Sequence, residues 1–157
     1  MQNKRHQLVE IFFYLLKIEN MNKNKITIGS VLEEKACLYL TQNGYSIIDR
    51  NFRLPFGEID IIAKDGKTKE LVFVEVKGMT INTNMGKDDR AKPEDHFTAA
   101  KIQKFKKIIM AYLNKKNSSE SRYYDTPWRV DLIAIEAAPN MAITNLNHYK
   151  NLYVPFE

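Results

Sequence analysis

The sequence has few of the residues that build thiol or imidazole sites. It contains one cysteine, Cys37, which excludes an intramolecular disulfide and a cysteine-ligated zinc cluster. Its three histidines, His6, His96 and His148, do not show the spacing of a metal-binding motif. Because nothing in this composition requires an oxidising compartment, we expect a cytoplasmic protein.

The sequence also lacks an apolar run long enough to cross a membrane. The stretch Leu8–Ile18 is mostly apolar, but Glu10 interrupts it and no small-residue cleavage site follows it. We therefore expect no membrane partner, and we interpret residues 1–26 as a dispensable N-terminal extension that is helical over this stretch. The alternative is that translation starts at Met21.

The remaining composition suits a single domain over residues 27–157. Of the 157 residues in the chain, 44% are hydrophobic, which suffices for one core. Its 24 Lys and Arg against 19 Asp and Glu give a net charge of +5, which is compatible with nucleic-acid binding without being diagnostic of it. The sequence contains no Gly-rich phosphate loop and no internal repeat.

Two strand-like segments around a polar break form the central feature of the sequence. Residues Gly57–Ala63 and Leu71–Lys77 are rich in β-branched and aromatic side chains, which favour strands. The break at 64–70 is polar and contains an Asp-Gly pair, which is typical of a hairpin loop. We therefore predict an antiparallel hairpin.

The register of this hairpin decides which side chains meet. Since side chains alternate between the two faces of a strand, one register brings two acids face to face. Its opposed pairs are Ile62–Phe73, Asp60–Glu75 and Glu58–Lys77. Facing carboxylates repel each other, and a hard divalent cation such as Mg²⁺ would remove the repulsion. Lys77, on the same face, could orient or activate a water, whereas the alternative is a plain strand end that meets solvent.

A helix from about Gly29 to Asn43, with Thr27 as its cap, is predicted to precede the hairpin. Its apolar stripe is predicted to consist of Val31, Leu32, Ala36, Tyr39 and Leu40. Glu33 lies beside this stripe and Glu34 on its other flank. Because small Ala36 permits close packing on the sheet, Glu33 is favoured as a third acid near the pair. The alternative is a solvated glutamate at the helix edge.

A second helix is predicted to begin at Pro93 or His96 and to end at Leu113. Its apolar face consists of Ile102, Phe105, Ile109, Tyr112 and Leu113. Lys101, Lys104 and Lys107 form a basic flank at helical spacing, which suits phosphate binding or, with about equal weight, a solvated face.

Further strands complete the predicted sheet. Tyr45–Leu54 carries Arg53, which suits either a phosphate contact or a salt bridge at the strand edge. Trp128–Glu136 carries Asp131, for which we predict a structural contact rather than metal binding, and 142–146 is a short final strand. The order αβββαβ predicts an α/β fold, a mixed sheet with helices packed on it.

These segments together resemble the YraN-like family of small bacterial proteins, which are predicted PD-(D/E)xK endonucleases related to archaeal Holliday-junction resolvases. Asp60, followed after a loop by Glu75-x-Lys77, matches the nuclease motif, and the resemblance extends from Ile28 to Leu152. The motif lies in the matching segments Gly57–Ala63 and Val72–Lys77, and the other matching pieces are Gly29-x-x-x-Glu33-x-x-Ala36, Gly44-Tyr45, Asn51-Phe52-Arg53, Lys101 and Arg129-Val130-Asp131.

The resemblance implies a restriction-endonuclease-like core and a Mg²⁺- or Mn²⁺-dependent endonuclease acting on DNA. It implies that Asp60 and Glu75 hold the metal, with the Val76 carbonyl as a further ligand and Glu33 acting through water. Lys77 would serve the attacking water. The implied partner is branched or irregular DNA, and the implied assembly is a homodimer, because junction-cutting relatives commonly dimerise.

The resemblance also suggests which residues contact nucleic acid. Lys101 aligns with a family lysine and Gln103 follows it, so both are expected near the scissile phosphate. The full set of expected contacts is Arg53, Lys101, Gln103, Lys104 and Lys107.

One position departs from the family pattern. Where the family usually has an arginine two residues after the motif lysine, this chain has Met79. Lys87, Arg90 and Lys92 in the following loop could replace the lost phosphate contact. The departure keeps open the alternative of a non-catalytic nucleic-acid-binding protein that retains the nuclease fold.

Overall fold

The described part of the chain folds into two helices and one five-stranded sheet. The computed structural model describes residues 27–80, 98–117 and 126–152. The elements are α1 (Ile28–Gln42), β1 (Tyr45–Leu54), β2 (Gly57–Asp65), β3 (Leu71–Thr80), α2 (Ala99–Asn117), β4 (Trp128–Ala137) and β5 (Ile143–Tyr149). The predicted extension 1–26 and the loop cations Lys87, Arg90 and Lys92 lie outside the described residues.

The sheet is mixed, as the element order predicts. Its strands lie in the order β1-β2-β3-β4-β5, and β3 and β4 are parallel while the other neighbours are antiparallel. The parallel pair is the one whose connection contains α2, because parallel neighbours need a long crossover. The predicted α/β fold, with helices on a mixed sheet, is confirmed, and the short final strand is longer than predicted.

Each helix covers one face of the sheet with its own hydrophobic core. The core under α1 contains Leu32, Ala36 and Leu40, and the core under α2 contains Phe105, Ile109 and Tyr112. A capping box between Thr27 and Ser30 starts α1, as the sequence predicts for Thr27. In the described residues, neither helix is long and apolar enough to cross a membrane.

Two details of the α1 face were not predicted. Glu34, predicted on a flank of the stripe, is buried, and its Oε2 atom lies 2.6 Å from the Arg50 guanidinium of β1. Cys37 is buried in the core under α1, against which half-buried Tyr39 packs as predicted, whereas Val31 is half-buried. The ion pair with Arg50 connects this edge of α1 to β1.

The β2–β3 hairpin forms in the predicted register close to its loop, where Ile62 pairs with Phe73. The ladder ends at Ile61–Val74, one residue before the predicted Asp60–Glu75 pair, while β3 continues beside β4 as far as Thr80. The two strands therefore part at the acidic residues, and the space between them opens into a cleft.

The predicted alternation along β2 is also broken at this point. Ile59 packs in the core under α2 and Ile61 in the core under α1, although residues two apart in a regular strand share a face. On the neighbouring strand, Asn51 has a φ of 51°, a conformation that asparagine tolerates better than most residues. The break in alternation along β2 and the positive φ on β1 together change the directions of the side chains around Asp60.

Candidate active site

The cleft between β2 and β3 is lined by charged residues from both strands and from both helices. Its volume is about 400 Å³. Its acidic lining consists of Glu33, Glu58, Asp60 and Glu75, and its basic lining consists of Lys77, Lys101 and Lys104. Four residues that sequence reasoning assigned to one site, Glu33, Asp60, Glu75 and Lys77, therefore line one cleft.

Asp60 lies at the point where the two strands part. Its side chain is buried, with 7% of the residue exposed, and its Oδ2 accepts a hydrogen bond of 2.7 Å from the Val76 N–H. A side-chain oxygen thus replaces the strand partner that Val76 would have in a continued ladder. This bond explains how β2 and β3 separate without leaving a buried N–H unpaired.

The environment of Asp60 disfavours its ionised form. Burial raises the pKa of Asp60 to about 7, and the charges of Glu75 and Glu33 add to this effect. The Val76 N–H and Lys77 act in the opposite direction and are too weak to offset it. A cation placed near these carboxylates would relieve their repulsion.

Glu75 is held between two lysines. Only 4% of the residue is exposed, and its Oε1 lies 2.6 Å from both Lys77 Nζ and Lys101 Nζ. Burial would lower the pKa of Lys77, but the hydrogen bond from Lys77 to Glu75 and the nearby carboxylate charges raise it above its ordinary value. Lys77 is therefore protonated at neutral pH.

Glu33 reaches the site because α1 lies close to β3. The Nδ2 of Asn51 donates a hydrogen bond of 3.1 Å to Glu33 Oε2, which orients the carboxylate. A Cβ atom on Gly78 would lie 2.0 Å from Leu32 Cδ1, so the close approach of α1 depends on glycine at this position unless the Leu32 side chain moves. Sequence reasoning assigned no site role to Asn51 or Gly78, although Asn51 begins one of the matching segments.

The predicted nucleic-acid contacts divide into two groups. Lys101 and Lys104 line the cleft, whereas Gln103 and Lys107 lie on exposed parts of α2 outside it. Arg53 is exposed and forms a 2.8 Å salt bridge with Glu58, which was one of its two predicted roles. An exposed pair of this kind contributes at most about 1 kcal/mol, so it would not prevent Arg53 from turning to a phosphate.

The donor set of the cleft fits a hard divalent cation. Asp60 and Glu75 supply carboxylate oxygens, which Mg²⁺ and Mn²⁺ prefer. In the described part of the chain, no three His, Cys, Asp or Glu side chains form a ready-made metal cage. Mg²⁺ commonly binds through one or two carboxylates and keeps several waters.

A second charged cluster, around Arg129, lies at the other end of the sheet. The Nη2 of Arg129 donates to Asp65 at 2.9 Å and to the Tyr45 hydroxyl at 3.1 Å, while Nη1 donates to Glu70. Asp131 accepts from Arg129 Nε at 3.0 Å and lies 2.9 Å from the His148 ring. The structural role predicted for Asp131 is confirmed.

Comparison with known proteins assigns the chain to a family. A family model described as "Uncharacterised protein family UPF0102" matches residues 32–135, which include the whole carboxylate and lysine set of the cleft. A UPF0102 protein of Tropheryma whipplei (strain Twist) is 35% identical over 120 residues, covering 76% of this chain and 90% of the relative.

Two further relatives cover similar shares. The UPF0102 protein THEYE_A1950 of Thermodesulfovibrio yellowstonii is 40% identical over 111 residues, 71% of this chain and 87% of the relative. A UPF0102 protein of Geotalea daltonii is 38% identical over 135 residues, 86% of this chain and 94% of the relative. The chain therefore belongs to the UPF0102 family, the YraN family that its motifs resemble.

Proposed function

We propose that the protein is a divalent-metal-dependent endonuclease that cleaves DNA phosphodiester bonds. The observation that carries the proposal is the cleft in which Asp60 and Glu75 lie with Lys77 and Lys101. Because a fold alone does not fix a function, the proposal depends on these side chains rather than on the family assignment.

The carboxylates would hold the metal. Asp60 and Glu75 are the direct ligands in this proposal, with the Val76 carbonyl as a further ligand and Glu33 acting through water. The chemistry that Mg²⁺ or Mn²⁺ supplies at such a site is stabilisation of charge on the phosphate and a lowered pKa of the attacking water.

The lysines would bind and orient the phosphate and the water. Lys77 is protonated at neutral pH, so it acts as a hydrogen-bond donor and a positive charge, not as a general base. Placed near the phosphate, it stabilises the negative charge that grows in the transition state. Lys101 and Lys104 extend the positive surface along α2, where a DNA backbone can follow it.

The proposal extends to substrate, assembly and location. The relation to junction resolvases favours branched or irregular DNA and a homodimer that presents two clefts to it. A cytoplasmic location agrees with a single buried cysteine and with DNA as the substrate. Arg53, Gln103 and Lys107, which lie outside the centre of the cleft, would contact phosphates farther along the backbone.

A cleavage panel tests this function. Purified protein is incubated with Mg²⁺ or Mn²⁺ and with single-stranded, duplex, flap and four-way-junction DNA, and Glu75→Gln serves as the inactive variant. Glu58→Gln is the matched control, because Glu58 lines the same cleft but is exposed and pairs with Arg53. The proposal fails if no DNA is cut, or if Glu75→Gln cuts as well as the parent.

One observation favours a second candidate, a non-catalytic nucleic-acid-binding protein. Glu75 already has two ammonium groups on one oxygen, so its charge is neutralised without a metal ion. A protein of this kind would bind the same DNA panel at least as tightly in a chelator as in Mg²⁺, because Mg²⁺ competes with lysines for phosphates, and it would cut none of the DNA. Binding and cleavage measured on the same samples separate the two candidates.

A further inference from the structure

We propose that Phe56 is a stacking platform for an unpaired nucleobase next to the phosphate in the cleft. The inference rests on the proposed function, in that the lysines of the cleft take a DNA phosphate. It adds a substrate class: DNA with at least one unstacked nucleotide beside the scissile bond.

Phe56 is an exposed aromatic residue at the rim of the charged cleft. It is 52% exposed and lines the cleft together with Ile28, which is 56% exposed. Single exposed apolar side chains are ordinary on protein surfaces, but here two of them lie on the rim of a cleft that is lined by three lysines and by four acids, the proposed metal ligands among them. Such a surface is complementary to a ligand that has both a flat apolar part and a negative charge.

The turn that carries Phe56 is firmly supported. It joins β1 and β2 through two residues, Pro55 and Phe56, between the paired residues Leu54 and Gly57. Gly57 has a φ of 154°, and a Cβ atom there would lie 2.7 Å from Ile108 Cδ1 of α2. The turn therefore packs closely against α2, the helix that carries Lys101 and Lys104. This packing restricts the backbone next to Phe56, which reduces the backbone entropy lost when a ligand binds.

The lysines that line the cleft with Phe56 indicate which class of ligand it binds. Lys101 and Lys104 line the same cleft as Phe56 and attract a phosphate. A nucleotide unites a phosphate with a planar base, and the volume of about 400 Å³ lies within the usual range for small-ligand pockets. In a duplex, neighbouring bases cover both faces of each base, so only an unpaired nucleotide can place a base on the ring.

Equilibrium binding to two matched DNA molecules tests the inference. Both carry a 2-aminopurine at the same position, paired in one duplex and unpaired as a single-nucleotide bulge in the other. Binding is followed by anisotropy and by 2-aminopurine fluorescence in a chelator, so that cleavage plays no part. The variants are Phe56→Ala, Phe56→Trp and Phe56→Leu, and Tyr149→Ala is an exposed aromatic control on β5, outside the cleft.

The parent and Phe56→Trp should bind the bulged DNA more tightly than the paired DNA. Loss of a base–aromatic stack typically weakens binding by about 5- to 150-fold, so Phe56→Ala should lose this amount on the bulged DNA alone. Phe56→Leu should behave like Phe56→Ala, and Tyr149→Ala like the parent. The salt dependence should stay the same in all Phe56 variants, since the phosphate contacts belong to lysines.

Three results would overturn the inference. The first is an equal loss on both DNA molecules or on neither, and the second is full discrimination by Phe56→Leu, which would show a merely apolar contact. In both of these cases the proposed function would still stand, provided that the parent binds and cleaves DNA. The third is failure of the parent to bind either DNA both in the chelator and with Ca²⁺ in place of the chelator, and this result would refute the proposed function as well.

Discussion

Replacing Asp60 by asparagine should stabilise the metal-free protein above neutral pH. The pKa of Asp60 is raised from 3.8 to about 7, chiefly by burial and then by the charge of Glu75. Each pKa unit corresponds to about 1.4 kcal/mol, so the ionised carboxylate costs the fold up to about 4 kcal/mol. Asparagine has the same shape, keeps an oxygen for the Val76 N–H and has no charge.

The expected gain in the free energy of unfolding is smaller than this upper limit of about 4 kcal/mol. The new amide NH₂ group needs an acceptor, and an unsatisfied one would cost about 1–3 kcal/mol. We therefore expect asparagine to raise the free energy of unfolding by about 2 kcal/mol at pH 8, which corresponds to roughly 4–8 °C in Tm for a chain of this size. The carboxylates of Glu75 and Glu33 are available as acceptors for the amide.

The sign of the pH dependence follows from the raised pKa. Between about pH 4 and pH 7 the native state binds more protons than the unfolded state, so the stability of the parent falls as the pH rises. Asparagine removes this slope. The substitution should therefore give a net loss of about 2 kcal/mol at about pH 4, where little more than the cost of the amide group remains, and its full gain above about pH 7.

Urea unfolding in a chelator, followed by the fluorescence of the single tryptophan, Trp128, measures the gain across this range. Asp65→Asn is the matched control with the opposite sign. Burial alone would raise the pKa of Asp65, but the hydrogen bond from Arg129 and those from two backbone N–H groups hold it at about 2. Its carboxylate stabilises the fold above about pH 4, and this contribution is lost as the pH falls through about 2. The reasoning is refuted if Asp60→Asn is less stable than the parent at pH 8, or if its effect does not depend on pH.

Three further predictions concern the metal, the buried network and the N-terminal segment. Lys101→Met removes one of the two cations that contact Glu75, so calorimetry without DNA should show that Mn²⁺ binds at least about fivefold more tightly. The same substitution removes one phosphate contact, so the slope of log affinity for DNA against log salt concentration should become about 0.9 less steep. Unchanged metal affinity would show that Lys101 does not compete for Glu75. Arg129→Met leaves Asp131 buried without its guanidinium partner and should cost about 3–5 kcal/mol in urea unfolding; a loss below about 1 kcal/mol would contradict the assigned role of this cluster. A shortened chain that begins at Met21 should melt cooperatively within a few degrees of the full chain and retain any cleavage activity, whereas insolubility would place the preceding segment in the core.

The hairpin and the membership of the candidate site were predictable because both depend on local patterns. The β-branched runs around the Asp-Gly break predicted two strands, and their alternation predicted the Ile62–Phe73 pair. The acids on the strands and the lysine on α2 followed from the motif. Each of these inferences uses residues close together in sequence, or a spacing that the family shares.

The opening of the cleft was not predictable from the hairpin sequence. It arises because β3 continues along β4, a partner that is more than fifty residues distant, while the Asp60 carboxylate takes the Val76 N–H. Burial of Glu34 has a similar origin, since its partner Arg50 comes from another element. The position of Gln103 outside the cleft depends on the rotation of α2 on the sheet, which the helical period alone does not determine.

The spacing between α1 and β3 depends on the residues at two positions, Gly78 on β3 and Leu32 on α1. Because a side chain at 78 would displace the Leu32 side chain, a chain of this fold that gains volume at position 78 is expected to lose volume at position 32. The two positions should therefore vary together among relatives. Since Glu33 follows Leu32 directly, such a paired exchange would also change how far the Glu33 carboxylate reaches toward Asp60, so the geometry of the cleft can differ between relatives that share the same charged residues.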